Sequence, residues 1–333
     1  MIRQLFLIFS LLAVCHFAKA QDPIFSQFYS APLQINPAFA GNTYGPHIAL
    51  NYRNQWPEVN NAYITYSLAY DQFLPSLNIG YGLSLLSDEA GDGALKTNKI
   101  SGFFAYRVQV NRDFFLKIGI EGSAVQARYD WSKFLFLDQI DDRFGELTPG
   151  GSPIPTEEIQ PENLSNSYFD ISAGLLAYNK MFYGGISMKH LNTPDESLLG
   201  INDNLNTGLP MRFTIHGGME IKVREGNKRK SAAFISPNIM FIKQGDFGQV
   251  NIGAYGSLGL IFTGVWYRQA LSNPDAVIFL IGVQKGIYKF GYSYDLTVSG
   301  LSGHTGGSHE ISVTLTFDRD NGTDYSDCFQ LFR

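Results

Sequence analysis

The sequence predicts an all-β fold, a transmembrane outer-membrane β-barrel of about 14 antiparallel strands. Three observations lead to this prediction: apolar and polar residues alternate along many short segments, the connections between these segments alternate in length, and the composition is unusual. Charged residues make up 17% of the 333 residues, aromatic residues make up 14%, and glycine occurs 34 times. The mean hydropathy of −0.07 is too low for a bundle of membrane helices but suits strands with one apolar face.

The start of the chain has the features of a signal peptide. Arg3 supplies a positive charge, residues 5–14 form an apolar run, and Ala18-Lys19-Ala20 is a cleavage site of the small-x-small type. We therefore expect cleavage after Ala20, which leaves Cys328 as the one cysteine and permits no internal disulfide. The apolar run is too short to span a bilayer, and the rest of the sequence has no stretch of about 18 apolar residues.

Alternation with period two predicts the strands. It is clearest at residues 48–53, 116–124, 169–175, 212–222 and 310–317. Most such segments have about ten residues, the length that a tilted strand needs to cross the hydrocarbon core. We place strands roughly at 45–54, 62–71, 77–87, 97–109, 113–125, 167–178, 181–190, 211–222, 232–243, 247–258, 260–269, 275–285, 286–296 and 308–317.

The predicted organisation has four parts. They are a signal peptide at 1–20, a periplasmic or luminal N-terminal segment at 21–44, the transmembrane barrel at 45–317 and a C-terminal periplasmic tail at 318–333. Outer-membrane barrels have short periplasmic turns and long surface loops, so the alternation in connection length places the N- and C-termini in the periplasm. The longest predicted connection, 126–166, is either a lid or plug, or a mobile surface loop.

The sequence contains no enzyme signature. A P-loop, a dinucleotide fingerprint and a Gly-x-Ser-x-Gly motif are all missing. His309-Glu310 begins like a zinc protease motif, but Val313 occupies the position of the second histidine. The loop acids at 88–92 and 138–142 lack the spacing of a calcium loop. We therefore expect no catalytic residue, no cofactor and no metal, although a lipid-modifying enzyme whose serine and histidine meet only in space stays an alternative.

Three charged residues are expected to meet inside the barrel. Closure pairs the first strand with the last one, and the thirteenth strand lies next to the last. If the N-terminus starts in the periplasm, Arg53, Asp295 and Glu310 all lie at the outer end of this seam, and alternation places them on the luminal face. We predict an ion-pair cluster of these residues; the alternative is three separate wall charges that face water.

Five short segments stand out from the strand pattern. They are Asn36-Pro37-Ala38-Phe39-Ala40-Gly41, Tyr52-Arg53-Asn54-Gln55-Trp56, Gly264-Val265-Trp266-Tyr267-Arg268, Phe290-Gly291-Tyr292-Ser293-Tyr294-Asp295 and Gly307-Ser308-His309-Glu310-Ile311-Ser312. In this order they resemble the PorP/SprF family of outer-membrane proteins, from about Asp22 to Phe317. The residues taken as the family motif are Asn36, Pro37, Phe39, Gly41, Arg53, Asn54, Gln55, Trp56, Trp266, Arg268, Tyr294, Asp295, Ser308, His309 and Glu310.

This resemblance implies a role in type IX secretion and gliding motility of Gram-negative bacteria. Members help to secrete cargo proteins, or anchor cargo and adhesins at the cell surface through the cargo's C-terminal domain. The implied partners are outer-membrane lipid, a secreted cargo or adhesin C-terminal domain, and periplasmic or lipoprotein components of the secretion machine. Nucleic acid is not expected as a partner, since the formal net charge is −5.

The alternative function is a porin or specific solute channel of the outer membrane. A porin lumen is expected to carry opposed rows of acids and bases, whereas the inward rows here contain many Gly, Ser, Ala and aromatic residues. We expect residues 36–41 to pack at the periplasmic mouth or inside the lumen, which would close the pore. The tail at 318–333 is either a periplasmic contact or a loose end.

Overall fold

The computed structural model of the chain describes residues 22–59, 62–141, 145, 148, 151–196, 208–224, 233–300, 302–317 and 328–332. The predicted signal peptide, and residues 318–327 and 333 of the predicted tail, lie outside the described residues. None of the helices in these ranges has the length and hydrophobicity of a membrane span.

One antiparallel sheet closes on itself to form a barrel. Its strands are β1 (His47–Gln55), β2 (Tyr63–Leu74), β3 (Ile79–Ala90), β4 (Leu95–Gln109), β5 (Phe115–Tyr129), β6 (Ser165–Tyr178), β7 (Phe182–Lys189), β8 (Arg212–Met219), β9 (Ile221–Arg224), β10 (Ala233–Gln244), β11 (Phe247–Leu258), β12 (Ile261–Ala270), β13 (Pro274–Lys285), β14 (Tyr288–Thr297) and β15 (Ser308–Thr316). β1 pairs with β15, and β10 pairs with β11. β8 and β9 are parts of one barrel strand, interrupted at Glu220, so the predicted barrel of fourteen strands is confirmed.

Several strands extend further than the sequence analysis predicted. The predicted connection between the third and fourth strands, 88–96, is mostly strand, and a four-residue turn at Gly91–Ala94 replaces it. Gly91, Asp92 and Gly93 adopt φ values of 61°, 55° and 82°, which allows this tight reversal. The predicted connection 126–166 is likewise shortened to 130–164, because β5 and β6 pair as far as Arg128 and Ser165.

The two ends of the barrel differ in their connections. We call the end with the segments 130–164, 190–211 and 298–307 the loop end, and the end with 75–78 and 179–181 the turn end. β1 runs from the turn end to the loop end. The two-residue connection between β10 and β11 is an exception to the pattern, since it lies at the loop end.

The alternation along each strand separates an apolar outer face from a mixed inner face. Along β5, the side chains of Ile118 and Ile120 are 51% and 54% exposed, whereas those of Lys117 and Glu121 are 1% exposed. The outer face therefore presents apolar side chains around the barrel, as contact with lipid requires. The inner face carries small, aromatic and charged side chains that are covered by the N-terminal part of the same chain.

Residues 22–46, which we call the plug, run through the lumen from the loop end to the turn end. Asp22 lies beside the first residue of β8 at the loop end, and the segment reaches β1 at the turn end. It includes a short α-helix at Pro32–Ile35 and a 3-10 turn at Pro37–Phe39. The described start of the plug thus lies at the loop end, and the periplasmic position of both termini stays a prediction.

Residues 328–332 also lie inside the barrel. Cys328, Phe329, Leu331 and Phe332 are buried, and the rings of Phe329 and Phe332 lie 5.9 and 4.7 Å from the ring of Phe39. The sequence analysis expected a periplasmic tail over 318–333. The described part of that tail covers an aromatic cluster near the turn end, which removes its apolar side chains from water, and its periplasmic position stays a prediction.

Candidate functional site

The Asn36–Gly41 segment of the plug rests on wall glycines. Gly80 of β3, Gly119 of β5 and Gly174 of β6 face it from the inner wall. A Cβ atom on any of these three glycines would lie closer than 3.0 Å to an atom of residues 36–40, a separation that real Cβ atoms essentially never show. The glycines therefore provide the space in which the plug approaches the wall backbone.

Asn36 joins the plug to two wall strands. Its Nδ2 atom donates to the carbonyl oxygens of Leu175 in β6 and Ile186 in β7, both at 3.1 Å, and lies 3.0 Å from His216 Nε2. Its Oδ1 atom accepts a hydrogen bond from Ala38 N at 2.9 Å, which starts the 3-10 turn at Pro37. Both the oxygen and the nitrogen of the buried Asn36 amide are thus hydrogen-bonded, which explains why an asparagine precedes Pro37.

The turn end of the plug is held between an acid and a base of the wall. Asp71 Oδ2 accepts from Gly41 N at 2.8 Å and from Asn42 N at 3.3 Å. Lys117 Nζ donates to the carbonyl oxygens of Ala40 and Gly41 at 2.7 and 3.2 Å. Gly41 has a φ of 71°, so the backbone can present its N–H to one partner and its carbonyl to the other.

The seam between β1 and β15 brings together the three charges that the register predicted. Arg53 and Glu310 are register partners and form an ion pair, and Arg53 Nη1 lies 3.1 Å from Asp295 Oδ2. All three side chains are at least 96% buried. Arg268 of β12 adds a second guanidinium, with Nη1 at 2.9 Å from the same Asp295 oxygen. The sequence analysis named Arg268 as a motif residue without a partner.

This seam cluster (Arg53, Arg268, Asp295 and Glu310) binds the plug. The two carboxylate oxygens of Glu310 accept hydrogen bonds from Ser26 N at 2.6 Å and Gln27 N at 2.8 Å. Ser26 Oγ donates to Asp295 Oδ2 at 2.6 Å and accepts from both arginines at 2.8 Å. The sequence analysis missed Ser26, because nothing in a strand pattern shows which luminal residue will meet a wall cluster.

Other motif residues lie in the barrel wall and contact one another there. Asn54, Tyr294 and His309 face outward; Asn54 is the register partner of His309, whose ring centroid lies 5.1 Å from that of Tyr294. Ser308 is buried and pairs in register with Gln55, whose Oε1 accepts from Arg53 Nη2 at 3.0 Å.

The two motif tryptophans lie at different depths of the barrel. Trp56 directly follows β1 at the loop end, and its backbone N–H donates to Gly307 O at 2.8 Å. Trp266 lies deeper in the lumen and stacks on Tyr29 of the plug at 6.1 Å. Trp56 therefore belongs to the rim of the barrel, and Trp266 belongs to the contact between plug and wall.

A second charged cluster, which the sequence analysis missed, holds the start of the plug. Asp22 Oδ2 lies 2.8 Å from Arg212 Nη1 and 2.9 Å from His190 Nε2, and His190 Nδ1 lies 3.2 Å from Asp170. Burial alone would raise the pKa of the Asp22 carboxyl, but the charges of Arg212 and His190 hold it well below its usual value. Burial lowers the pKa of His190, and the two carboxylates more than offset this, so that its pKa is raised.

Above the plug, at the loop end, lies a cavity of about 610 Å³. We call it the cup; Asp22, Pro23 and Ile24 contribute to its lining from the plug, and the loop-end residues of several wall strands complete it. Two cavities deeper in the lumen hold only about 20 and 10 Å³, about one water each. Among the described residues, no group of three His, Cys, Asp or Glu side chains is placed to hold a metal ion.

Comparison with known protein families supports the resemblance. The family model described as "Type IX secretion system membrane protein PorP/SprF" matches residues 17–315. No curated protein matches the chain in sequence.

Several solved structures of outer-membrane proteins are similar to the chain. The toluene transporter TodX of P. putida is 9% identical over 85% of this chain and 93% of its own, with a TM-score of 0.42. Omp33 of Acinetobacter baumannii is 9% identical over 83% of this chain and 100% of its own (TM-score 0.41), and the KdgM porin is 7% identical over 81% and 99% (TM-score 0.39). At these scores, none of them supports a conclusion about what this chain does.

Proposed function

The chain belongs to the PorP/SprF family of type IX secretion system membrane proteins, and on this premise we propose that it captures a secreted protein through that protein's C-terminal domain. The captured protein is then exported with its help or held at the cell surface. In this proposal the loop end faces the outside and the turn end faces the periplasm. Such a role needs no catalytic activity of the barrel itself.

The observation that carries the proposal is the filled lumen. The plug is bound to the wall at its start by Asp22, next by the seam cluster, and at the turn end by Asp71 and Lys117. A solute channel requires an open path, whereas a capture platform requires a rigid barrel that presents loops. The many charge-assisted hydrogen bonds to the plug favour the rigid platform.

The shape of the loop end also supports capture of a large partner. Its segments 130–164 and 190–211 are the longest connections of the barrel, and the cup opens between the strand ends that bear them. Exposed apolar side chains in the first of these loops, such as those of Leu137 and Ile159 at 90% and 89%, would find cover in a protein partner.

The turn end is the proposed place for periplasmic or lipoprotein components of the machine. There the plug and the described end of the tail pack against each other through Phe39 and Phe332, and Lys289 Nζ of β14 donates to Leu331 O at 2.7 Å. A partner that contacts this end would meet both chain segments at once.

Affinity purification of the tagged barrel from native outer membranes tests the proposal. We expect a secreted protein to co-purify, and its truncation before the C-terminal domain to abolish the interaction. Cells that lack the barrel should lose this protein from their surface. If no secreted protein co-purifies and the surface proteins of such cells are unchanged, the proposal is wrong.

A further inference from the structure

The cup has more carboxylates than cations that could pair with them. Two guanidinium groups, those of Arg53 and Arg268, contribute to its lining. Arg53 is committed to Asp295 and Glu310, and Arg268 to Asp275 and Asp295. Neither arginine therefore has its charge available for a ligand.

Asp88 of β3 and Glu196 of the 190–211 loop are the carboxylates left over. Asp88 Oδ1 accepts a hydrogen bond from Thr65 Oγ1 at 2.6 Å, and Glu196 Oε1 accepts from Tyr168 Oη at 3.4 Å. Among the described residues, these two hydroxyls are the side-chain groups that donate hydrogen bonds to Asp88 and Glu196, and neither carboxylate forms an ion pair. Burial raises the pKa of Glu196, and the negative charge of Asp22 raises it further. A bound cation would offset both the desolvation of the Glu196 carboxylate and its repulsion by Asp22.

A second feature of the cup, independent of these acids, also indicates a ligand. Gln249 of β11 lines the cup and is 95% buried, and its Nε2 atom has no hydrogen-bond acceptor among the described residues. Burying an amide donor without an acceptor is costly, so this group suits a ligand that brings a carbonyl oxygen.

The rim of the cup provides aromatic contacts. The rings of Trp56 and Tyr63 both line the cup and lie 5.9 Å apart in an edge-to-face pair. Aromatic faces attract organic cations. A metal ion would instead require a group of three suitable ligands, and none is present among the described residues. An organic cation fits better than a metal.

We propose that the cup binds a basic side chain, lysine or arginine, of the polypeptide that the barrel captures. This rests on the proposed function and adds the chemistry of recognition to it. The ammonium or guanidinium group pairs with Asp88 and Glu196 and is attracted by the rings of Trp56 and Tyr63, and a peptide carbonyl of the same segment accepts from Gln249. The cup then selects basic segments over neutral or acidic ones.

Fluorescence anisotropy with the purified full chain in a zwitterionic detergent tests the proposal. The probes are a labelled hexapeptide, Gly-Ser-Lys-Gly-Arg-Gly, and the same peptide with glutamine in place of lysine and arginine. We expect the basic peptide to bind at least about tenfold more tightly. The Asp88→Asn/Glu196→Gln variant should lose this preference. Equal affinity for the two peptides, or an unchanged preference in the double variant, would overturn the proposal.

Matched controls separate a local effect from misfolding. Glu89→Gln alters the neighbouring carboxylate, which pairs with Lys96 instead of lining the cup, and should keep the wild-type preference. Gln249→Leu should weaken binding of the peptide while leaving that of n-butylamine, which has the amine of a lysine side chain but no carbonyl group, unchanged. If the double variant loses its heat-modifiable migration in gels, the two single variants are measured instead, and each should lose part of the preference.

The proposal and the proposed function fail in different ways. If the double variant still captures the secreted protein with wild-type yield, the cup is not the recognition site, while capture itself stands. If the wild-type barrel prefers the basic peptide but co-purifies with no secreted protein, the charge selectivity of the cup stands and the proposed function is wrong.

Discussion

Glu310 and Ser26 connect the barrel's closing seam to its plug. One oxygen of the Glu310 carboxylate accepts from Ser26 N at 2.6 Å while the same carboxylate pairs with Arg53, its partner across the β1–β15 seam. The Glu310 carboxylate therefore neutralises Arg53 of the wall and also binds the plug. Loss of charge balance at the seam should therefore affect both the closure of the barrel and the position of the plug.

Reversing the charge of Arg53 should weaken the barrel. In Arg53→Glu, three carboxylates would share a buried site with Arg268 alone, and breaking a buried ion pair typically costs ~3–5 kcal/mol. We expect the temperature at which the folded band converts to the unfolded band in gels to fall clearly. Arg128→Glu, at an exposed position near the loop end of β5, is the control and should leave that temperature nearly unchanged. Equal stability of Arg53→Glu and the parent would contradict the account of the seam.

Filling the space of a wall glycine should displace the plug. In Gly174→Val, the added atoms would overlap Asn36, whose amide joins β6 and β7. We expect protease to cut residues 22–41 in this variant and not in the parent. Gly102→Val is the matched control, because a Cβ there meets nothing nearer than 4.0 Å. Protection of the plug in both variants would show that the glycine contact is dispensable.

The start of the plug should loosen at high pH. The pKa of His190 is raised above 6.5 by Asp22 and Asp170. Protonated His190 therefore stabilises the start of the plug fully below pH 6.5, and this stabilisation is lost as the pH rises through the pKa of His190 in the folded barrel. The carboxyl of Asp22 has a lowered pKa, so its contribution is lost only at acidic pH. Arg212, Lys99, Glu196 and Tyr168 also face the carboxylate of Asp22.

Hydrogen exchange measures this effect. Relative to intrinsic rates, the amides of residues 22–26 should lose protection as the pH is raised from 6 into the alkaline range, because a histidine of raised pKa loses its proton above its ordinary value of about 6.5. His190→Gln should remove the pH dependence, and His304→Gln, in an exposed loop, should retain it. A protection factor that is constant over this range in the parent would contradict the role of His190.

Removal of the described tail should destabilise the turn end. Residues 328–332 cover Phe39, Tyr178 and Tyr183, and Leu331 O accepts from the buried Lys289. A chain that ends at residue 327 should melt at a lower temperature and bind more of an apolar dye. Unchanged melting and dye binding would show that the tail contributes nothing to the closure of the lumen.

Much of the wall could be predicted from the sequence, because a strand's two faces have different surroundings. Period two identified the barrel strands, and register alone placed Arg53 opposite Glu310 and near Asp295. The family segments identified Asn36–Gly41 as important before any contact was known. These inferences rest on local patterns and on the closure of a sheet.

The luminal contacts could not be predicted, because they join segments that are distant in sequence and follow no period. Asp22 meets Arg212 and His190 only because the plug enters from the loop end, and Ser26 reaches the seam for the same reason. For the tail, the sequence leaves a periplasmic contact and a loose end as equal alternatives, because it continues beyond the last predicted strand. The contact between the tail and the ring of Phe39 follows only from the position of the plug in the lumen.

Single-channel recording in planar lipid bilayers tests most directly whether the barrel's own N-terminal segment shuts its lumen. We expect a silent wild-type protein, and conductance steps of uniform size once residues 22–41 are deleted. Regular steps from the intact barrel that the deletion leaves unaltered would contradict this expectation, since ions would then be passing a plug that the structure shows in contact with the wall from end to end.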